Sequence, residues 1–227
     1  MNQPTDEPNA FDHVAEQYDE LHGATLAASG EPVGYFARYK IDRMKRLGGP
    51  QATVLDYGCG IGNLTALLAE SFDHVVGFDP SSVSLEIARR RLPTVPFHSD
   101  EALIAPAVFD VVVLAGVLHH VPRQDRRRVL SNAMQKAKPG GRVVVFEHNP
   151  YNPLTRSVVD RCAFDEDAVL LRPREIRQLL EQVGAAKVDQ GYIVFFPRAL
   201  ARLRVVEPAL SFLPFGVQTM TVATKEW

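Results

Sequence analysis

The sequence predicts an α/β fold built on a doubly wound, mostly parallel sheet. Three observations predict it. Short apolar runs alternate along the chain with amphipathic stretches of helical length. A glycine turn, Gly58-Cys59-Gly60-Ile61-Gly62, directly follows the apolar run Val54-Leu55-Asp56-Tyr57. A second run, Val75-Val76-Gly77-Phe78, ends on an acid, Asp79. Runs that are apolar at consecutive positions fit strands buried on both faces, as in a parallel sheet covered by helices.

The elements follow in order. Residues 24–46 read as a helix ahead of the first strand, with Tyr35, Phe36, Ile41 and Met44 as its apolar stripe. Residues 53–57, 74–78, 95–98, 110–114 and 142–147 read as strands, with helices at 62–71, 82–92 and 123–137 between them. A helix over 173–183 opens at Pro173 and stops at Gly184, because proline suits the first helical turn and glycine the left-handed position past the last. Strands near 187–196 and 216–224 complete the order. Ligands of such a sheet gather outside the carboxyl ends of the strands, where the glycine turn and Asp79 both fall.

Composition narrows the function. Apolar residues make up 46% of the 227, enough for a sizeable core, and the formal charge is −2. No basic excess points to nucleic acid. The two cysteines, Cys59 and Cys162, make neither a disulfide framework nor a zinc site, and a reducing cytoplasm is the expected location. The first residues, Met1 to Pro8, are polar and acidic, unlike a signal or transit peptide. No apolar run approaches the roughly 18 residues of a membrane span. No carboxylate cluster suggests a catalytic metal, so none is expected.

The glycine turn and the distant acid together describe a nucleoside site. Glycines let the backbone approach the ligand, and an acid ending the second strand can accept from both ribose hydroxyls. Dinucleotide sites favour G-x-G-x-x-G, with a helix N-terminus facing the pyrophosphate. Here the glycines stand at 58, 60 and 62, and Asn63 occupies the position of the last dinucleotide glycine.

The pattern Asp56-x-Gly58-x-Gly60-x-Gly62 resembles motif I of the class I S-adenosylmethionine (SAM) methyltransferases. Phe109 to Val121, ending in Leu118-His119-His120-Val121, resembles that family's fourth-strand motif. Lys138-Pro139-Gly140-Gly141 resembles the turn leading into its fifth strand. Phe11-Asp12-x-x-Ala15-Glu16-x-Tyr18-Asp19 looks like the cap that small-molecule methyltransferases fold over the cofactor. The four motifs stand in the family's order and cover most of residues 11–148. The resemblance implies a Rossmann-like, seven-stranded sheet with helices on both faces and its last strand antiparallel. It implies an N-terminal cap over 1–48, a catalytic domain over 49–227 with an insertion at 149–172 and a C-terminal hairpin, and SAM as cofactor, released as S-adenosylhomocysteine.

Residue roles follow from the same resemblance. Asp79 would hold the ribose hydroxyls, with Pro80 beside it; the rival role for Asp79 is a cap on the helix starting at Ser81-Ser82. Gly58, Cys59 and Gly60, with Asn63 beyond them, would line the methionine and ribose moieties. Asp56 would orient the turn or accept a bond near the methionine amino group. Ser99 and Asp100 follow the third strand, where the family places an acid against the adenine amino group, although Glu101 leaves the register open. Ala115, Gly116 and His120 lie where the fourth strand runs past the cofactor. Tyr18 would reach the cofactor's carboxylate or serve as a core residue.

Methyl transfer to a hydroxyl benefits from a base, and histidine suits neutral pH. His148, at the end of the fifth strand, is the first expectation and His119 the second, while the His119-His120 pair also fits a structural element of the family. The long link 149–172 carries Arg156, Arg161 and Arg172 beside Asp160, Asp165, Glu166 and Asp167, either for an anionic acceptor or in mutual salt bridges. Leu200, Leu203, Val206, Leu210 and Leu213 read as one helical face with Arg198 and Arg202 opposite, interrupted by Pro208 and Pro214. That face would pack on the domain, cover a lipophilic acceptor, or give the 192–214 segment a weak membrane-surface contact.

The sequence therefore reads as a metal-independent methyltransferase for a small-molecule, sugar or lipid-type acceptor, at oxygen, with nitrogen and carbon acceptors open. Its rivals are an NAD-dependent oxidoreductase and a non-catalytic SAM-binding protein. The acceptor's identity and the oligomeric state are not legible.

Overall fold

The computed structural model describes residues 34–162 and 168–226. The motif at 11–19, with Tyr18, and the acids Asp165, Glu166 and Asp167 lie outside the described residues. Seven strands form one sheet: β1 (Thr53–Tyr57), β2 (His74–Phe78), β3 (Phe97–His98), β4 (Phe109–Ala115), β5 (Ala137–His148), β6 (Ala185–Ile193) and β7 (Gln218–Lys225). Their order is β3-β2-β1-β4-β5-β7-β6. β7 runs antiparallel to both its neighbours, and the other pairings are parallel. The chain winds outward from β1 to β3, then crosses back to β4. The carboxyl ends of β1 and β4 therefore flank a switch point, the place where such sheets open a crevice.

Helices α1 (Tyr35–Met44), α2 (Asn63–Ala69), α3 (Ser82–Arg91), α4 (Arg126–Lys136), α5 (Pro153–Val159), α6 (Pro173–Gln182) and α7 (Glu207–Leu210) surround the sheet. Consecutive strand residues feed opposite cores. Leu55, Val112, Leu114, Val143 and Val145 pack with Leu130 of α4 and with Ile176 and Leu180 of α6. Val54, Val111, Val113, Val144 and Phe146 pack with Ile41 and Met44 of α1 and Leu68 of α2. Both faces are buried, so the strands are apolar at successive positions rather than at alternate ones.

Several boundaries differ from those read in the sequence. β3 has only two residues, since Pro96 has no N–H to give to a ladder. β5 starts at Ala137, which pairs with Phe109 before the register shifts across the Lys138–Gly141 turn. β6 stops at Ile193 because Val194 takes φ +61°, a conformation that ends an extended strand. The link after β5 is not a bare loop. Asn152 caps α5, its Oδ1 accepting from Leu154 N (2.9 Å) and Thr155 N (3.2 Å), and Pro153 opens the helix.

The expected α-helical face at 200–213 is corrected. Arg198–Val206 is a 3-10 helix kinked at Leu200, and α7 begins only at Glu207-Pro208. At three residues per turn, Leu200, Leu203 and Val206 fall in one row, and that row stays 45–46% exposed rather than packing on the domain. The buried Glu207 holds the segment down. Its Oε1 accepts from Phe195 N (3.0 Å) and Phe196 N (3.1 Å), and its Oε2 accepts from Tyr39 Oη of α1 (2.9 Å). Among the described residues no helix is long and apolar enough to cross a membrane.

Candidate functional site

The glycine turn closes β1 against β2: Gly58 N and Cys59 N both donate to Phe78 O, at 2.7 and 2.9 Å. Gly58 has φ +84°, and a Cβ there would stand 2.6 Å from Val117 Cγ2, so only glycine fits. Gly60 also has positive φ, but a Cβ built on it meets nothing within 4 Å. Its backbone thus borders open space at the switch point.

Asp79 ends β2 beside that space. Its Oδ2 accepts from Gly60 N (2.8 Å) and its Oδ1 from Ser81 N (2.9 Å), which fixes the carboxylate against the turn. The cap of α3 is Ser81, whose Oγ accepts from Ser84 N (3.0 Å), so the rival role for Asp79 is taken by its neighbour. The Cys59 side chain is buried behind the turn, where burial pushes its thiol well above the usual range and leaves only its backbone at the crevice.

Asp56, at the end of β1, is buried and accepts from Thr65 Oγ1 at 2.7 Å. Burial pushes its carboxyl up to about 7, and the nearby Asp79 charge adds to this. The opposing charge is Lys40 of α1, whose ammonium lies 5.8 Å from the centre of the Phe146 ring. Burial brings Lys40 down to about 8, against the pull of Glu147 and Asp56. Sequence reasoning missed Lys40. The signal was its spacing, four residues after Phe36 and four before Met44, on the apolar stripe of the helix.

The carboxyl ends of β4 and β5 hold a cluster of imidazoles. Glu147 is buried, its Oε1 accepting from Leu118 N (2.7 Å) and its Oε2 bonded to His119 Nδ1 at 2.6 Å. Burial would raise this carboxyl, but the His119 imidazole, with a lesser contribution from His148, holds it below the usual carboxylate range. The ring of His119 lies 4.0 Å from that of His120 and 5.1 Å from that of His148 between centroids. His119 is buried, whereas His120 and His148 are half-buried.

The remaining residues singled out in the sequence divide clearly. Ala115 and Gly116 close β4, where Gly116 N donates to Phe146 O at 2.9 Å. Ser99 and Asp100 are exposed, and Asp100 Oδ1 accepts from Ala102 N. The Glu101 carboxylate is engaged elsewhere, by Tyr57 Oη (2.9 Å) and Asn132 Nδ2 (2.7 Å), which leaves Asp100 as the acid at the rim. Pro80 is exposed. The Asn63 side chain accepts from Arg91 Nη1 (3.0 Å) and ties α2 to α3. Asn149 is fully buried and donates to Pro214 O and Gly216 O, so it is a structural tie.

A family profile for a methyltransferase domain matches residues 32–190. The chain belongs to the class I S-adenosylmethionine-dependent methyltransferases. Among relatives of this methyltransferase, the O-methyltransferase cnsE of Penicillium expansum is 28% identical over 211 residues, spanning 82% of this chain and 74% of that protein. The trans-aconitate 2-methyltransferase of an Azoarcus species is 39% identical over 94 residues, 40% of this chain and 36% of that protein. A solved SAM-dependent methyltransferase from Thermotoga maritima, described as a possible histamine N-methyltransferase, shares the methyltransferase's fold with a TM-score of 0.69. It is 18% identical and covers 95% of this chain and 98% of that one. The cofactor of the methyltransferase is SAM, which disposes of the oxidoreductase alternative.

Proposed function

We propose that this methyltransferase methylates a hydroxyl of a small-molecule acceptor, of metabolite, sugar or lipid type, without a metal, using the imidazoles of His148 and His119 to take up the proton. The observation that carries this reading is the Glu147–His119–His148 cluster at the ends of β4 and β5. The chain's wide match to a relative named as an O-methyltransferase supports it.

Bound SAM supplies an electrophilic methyl group on a sulfonium, and the residues around the switch point fit it. Asp79 would accept from the ribose hydroxyls, and the open backbone of Gly60, with Gly58 and Cys59, would line the crevice floor. Asp56 and Lys40 would serve the amino-acid end, and Asp100 and Ser99 the adenine. Ala115, Gly116 and His120 would flank the cofactor along β4, with Asn63 and Pro80 at its margins.

The protein's task is to align the nucleophile and accept its proton. His148, half-buried at the end of β5 where His119 is buried, takes the proton. The buried Glu147, bonded through Oε2 to His119 Nδ1, orients that imidazole and opposes the positive charge the cluster gains with the proton. The test is release of S-adenosylhomocysteine from SAM with a panel of hydroxyl-bearing and amine-bearing acceptors, in the presence of a chelator. His148→Ala should cut kcat/KM for the hydroxyl acceptor tenfold or more; a loss within twofold removes His148 as the base. Turnover of amines alone would replace the oxygen reading with nitrogen. Leu203, Val205, Phe212 and Phe215 are exposed near Arg198 and Arg202, which supports a weak contact with an anionic membrane surface. Cosedimentation with anionic vesicles at background level removes that contact.

A further inference from the structure

A cavity of about 600 Å³ lies in the link between β5 and α6, which leaves β5 at His148. Tyr151, Arg156, Val159, Asp160, Leu170 and Arg172 line it. Its volume suits a small molecule. Its position suits an acceptor. Tyr151 follows His148 by three residues, and the opposite wall is pinned to the imidazole cluster by Val169 N donating to His119 O at 2.9 Å. Arg126 fixes the same wall, donating through Nη2 to Val169 O (2.8 Å) and through Nε to Val121 O (2.9 Å).

Among the described residues, the charge lining this cavity is not balanced. Two guanidiniums, Arg156 and Arg172, face one carboxylate, Asp160. Among the described residues neither arginine forms an ion pair, and Asp160, one turn after Arg156, stands beyond ion-pair distance from it. A smaller hollow of about 430 Å³ shares Arg156 and Asp160 and adds Arg161. Of the four acids that the sequence offered these arginines as salt-bridge partners, only Asp160 lies among the described residues, and it pairs with none of them. Guanidinium forks match the paired oxygens of carboxylates and phosphates, and one site offers two of them. Val159 and Leu170 supply apolar wall for a carbon body.

We propose that this cavity is the acceptor-binding site and that the acceptor carries an oxyanion, a carboxylate or a phosphate ester, held between Arg156 and Arg172 with its methylated hydroxyl toward His148. The assignment rests on the methyltransferase reading of the imidazole cluster and deepens it by naming the substrate class. Asp160 opposes the anion and sets a limit on its charge.

The test is calorimetric titration of citrate and, separately, of pyrophosphate into the full-length protein saturated with S-adenosylhomocysteine. Wild type should bind at least one of the two at millimolar concentration or better, and the preferred one tells carboxylate from phosphate. Arg156→Gln and Arg172→Gln should each weaken that binding tenfold or more, and Asp160→Asn should strengthen it threefold or more. All three side chains are exposed, so melting temperatures and S-adenosylhomocysteine affinity should stay at wild-type values. No binding of either anion by wild type, or equal binding by wild type and both arginine variants, overturns the proposal. Loss of S-adenosylhomocysteine binding by wild type would instead strike the cofactor site, and the anion titration without it would still read the cavity.

Discussion

Asp79 and Asp56 are two carboxylates in one crevice with opposite surroundings. Asp79 accepts two backbone N–H bonds and is half-buried beside the crevice, where the ribose hydroxyls of a bound cofactor would be its donors. Each charge-assisted bond to such donors contributes about 1.5–3 kcal/mol. Asp79→Ala should therefore weaken S-adenosylhomocysteine binding tenfold or more in a folded protein, and unchanged affinity by calorimetry removes the role. Asp56 is buried and its carboxyl is pushed up to about 7, above its value in the unfolded chain. Folding then favours the protonated acid. Its contribution is fully present below the unfolded pKa of about 4 and is lost as pH rises toward 7. Asp56→Asn keeps an oxygen for Thr65 and does not ionise. The melting temperature of this variant without cofactor, relative to wild type, should climb between pH 4 and 7 and then level off. A flat difference counts against the buried acid. Glu147→Gln should move the acid limb of the kcat/KM–pH profile to lower pH while reducing the maximum rate, because the imidazoles lose the charge that favours their protonated form. An unmoved limb would mean that Glu147 only holds Leu118 and His119 in place.

Among the elements, the short ones after β5 border the cavity proposed for the acceptor. α5 exists because Asn152 caps it and Pro153 opens it, and the same Asn152 donates from Nδ2 to Phe215 O at 2.7 Å, tying the link to the loop before β7. Asn152→Ala removes the cap and leaves the Phe215 carbonyl without that donor. The expected cost is about 1–2 kcal/mol, read as a fall in the urea midpoint at constant slope. A midpoint equal to wild type would show that Pro153 alone sets the helix. α1 is anchored in a comparable way. Tyr39 reaches Glu207, Arg43 donates to Tyr39 Oη (2.6 Å), and the Arg204 guanidinium lies 4.4 Å from the centre of the Tyr35 ring. These contacts join an N-terminal helix to a C-terminal segment, and no local sequence pattern announces them.

At the scale of the molecule, the cofactor crevice sits where two halves of one sheet meet, so ligand binding and stability are linked. S-adenosylhomocysteine at a hundred times its dissociation constant should stabilise the fold by about 2.7 kcal/mol, visible as a concentration-dependent rise in melting temperature that NAD does not reproduce. A rise with NAD and none with S-adenosylhomocysteine would contradict the cofactor.

The sequence by itself determined the parallel core of the sheet, the glycine turn and the position of Asp79. Those features rest on local rules: a doubly buried strand is apolar at every position, and a left-handed turn beside a ligand requires glycine. The tertiary structure decided what depends on residues far apart in the chain. It brought Glu147 to His119 across 28 positions, brought the Lys40 charge to bear on Asp56, engaged Glu101 with Tyr57 while Asp100 stayed exposed, and left Arg156 and Arg172 lining one cavity. It also turned the 198–206 stretch into an exposed 3-10 helix where periodicity had implied an α-helical face. Charge pairing and burial are properties of neighbours in space, and those neighbours are fixed only when the sheet order brings β4, β5 and α1 together.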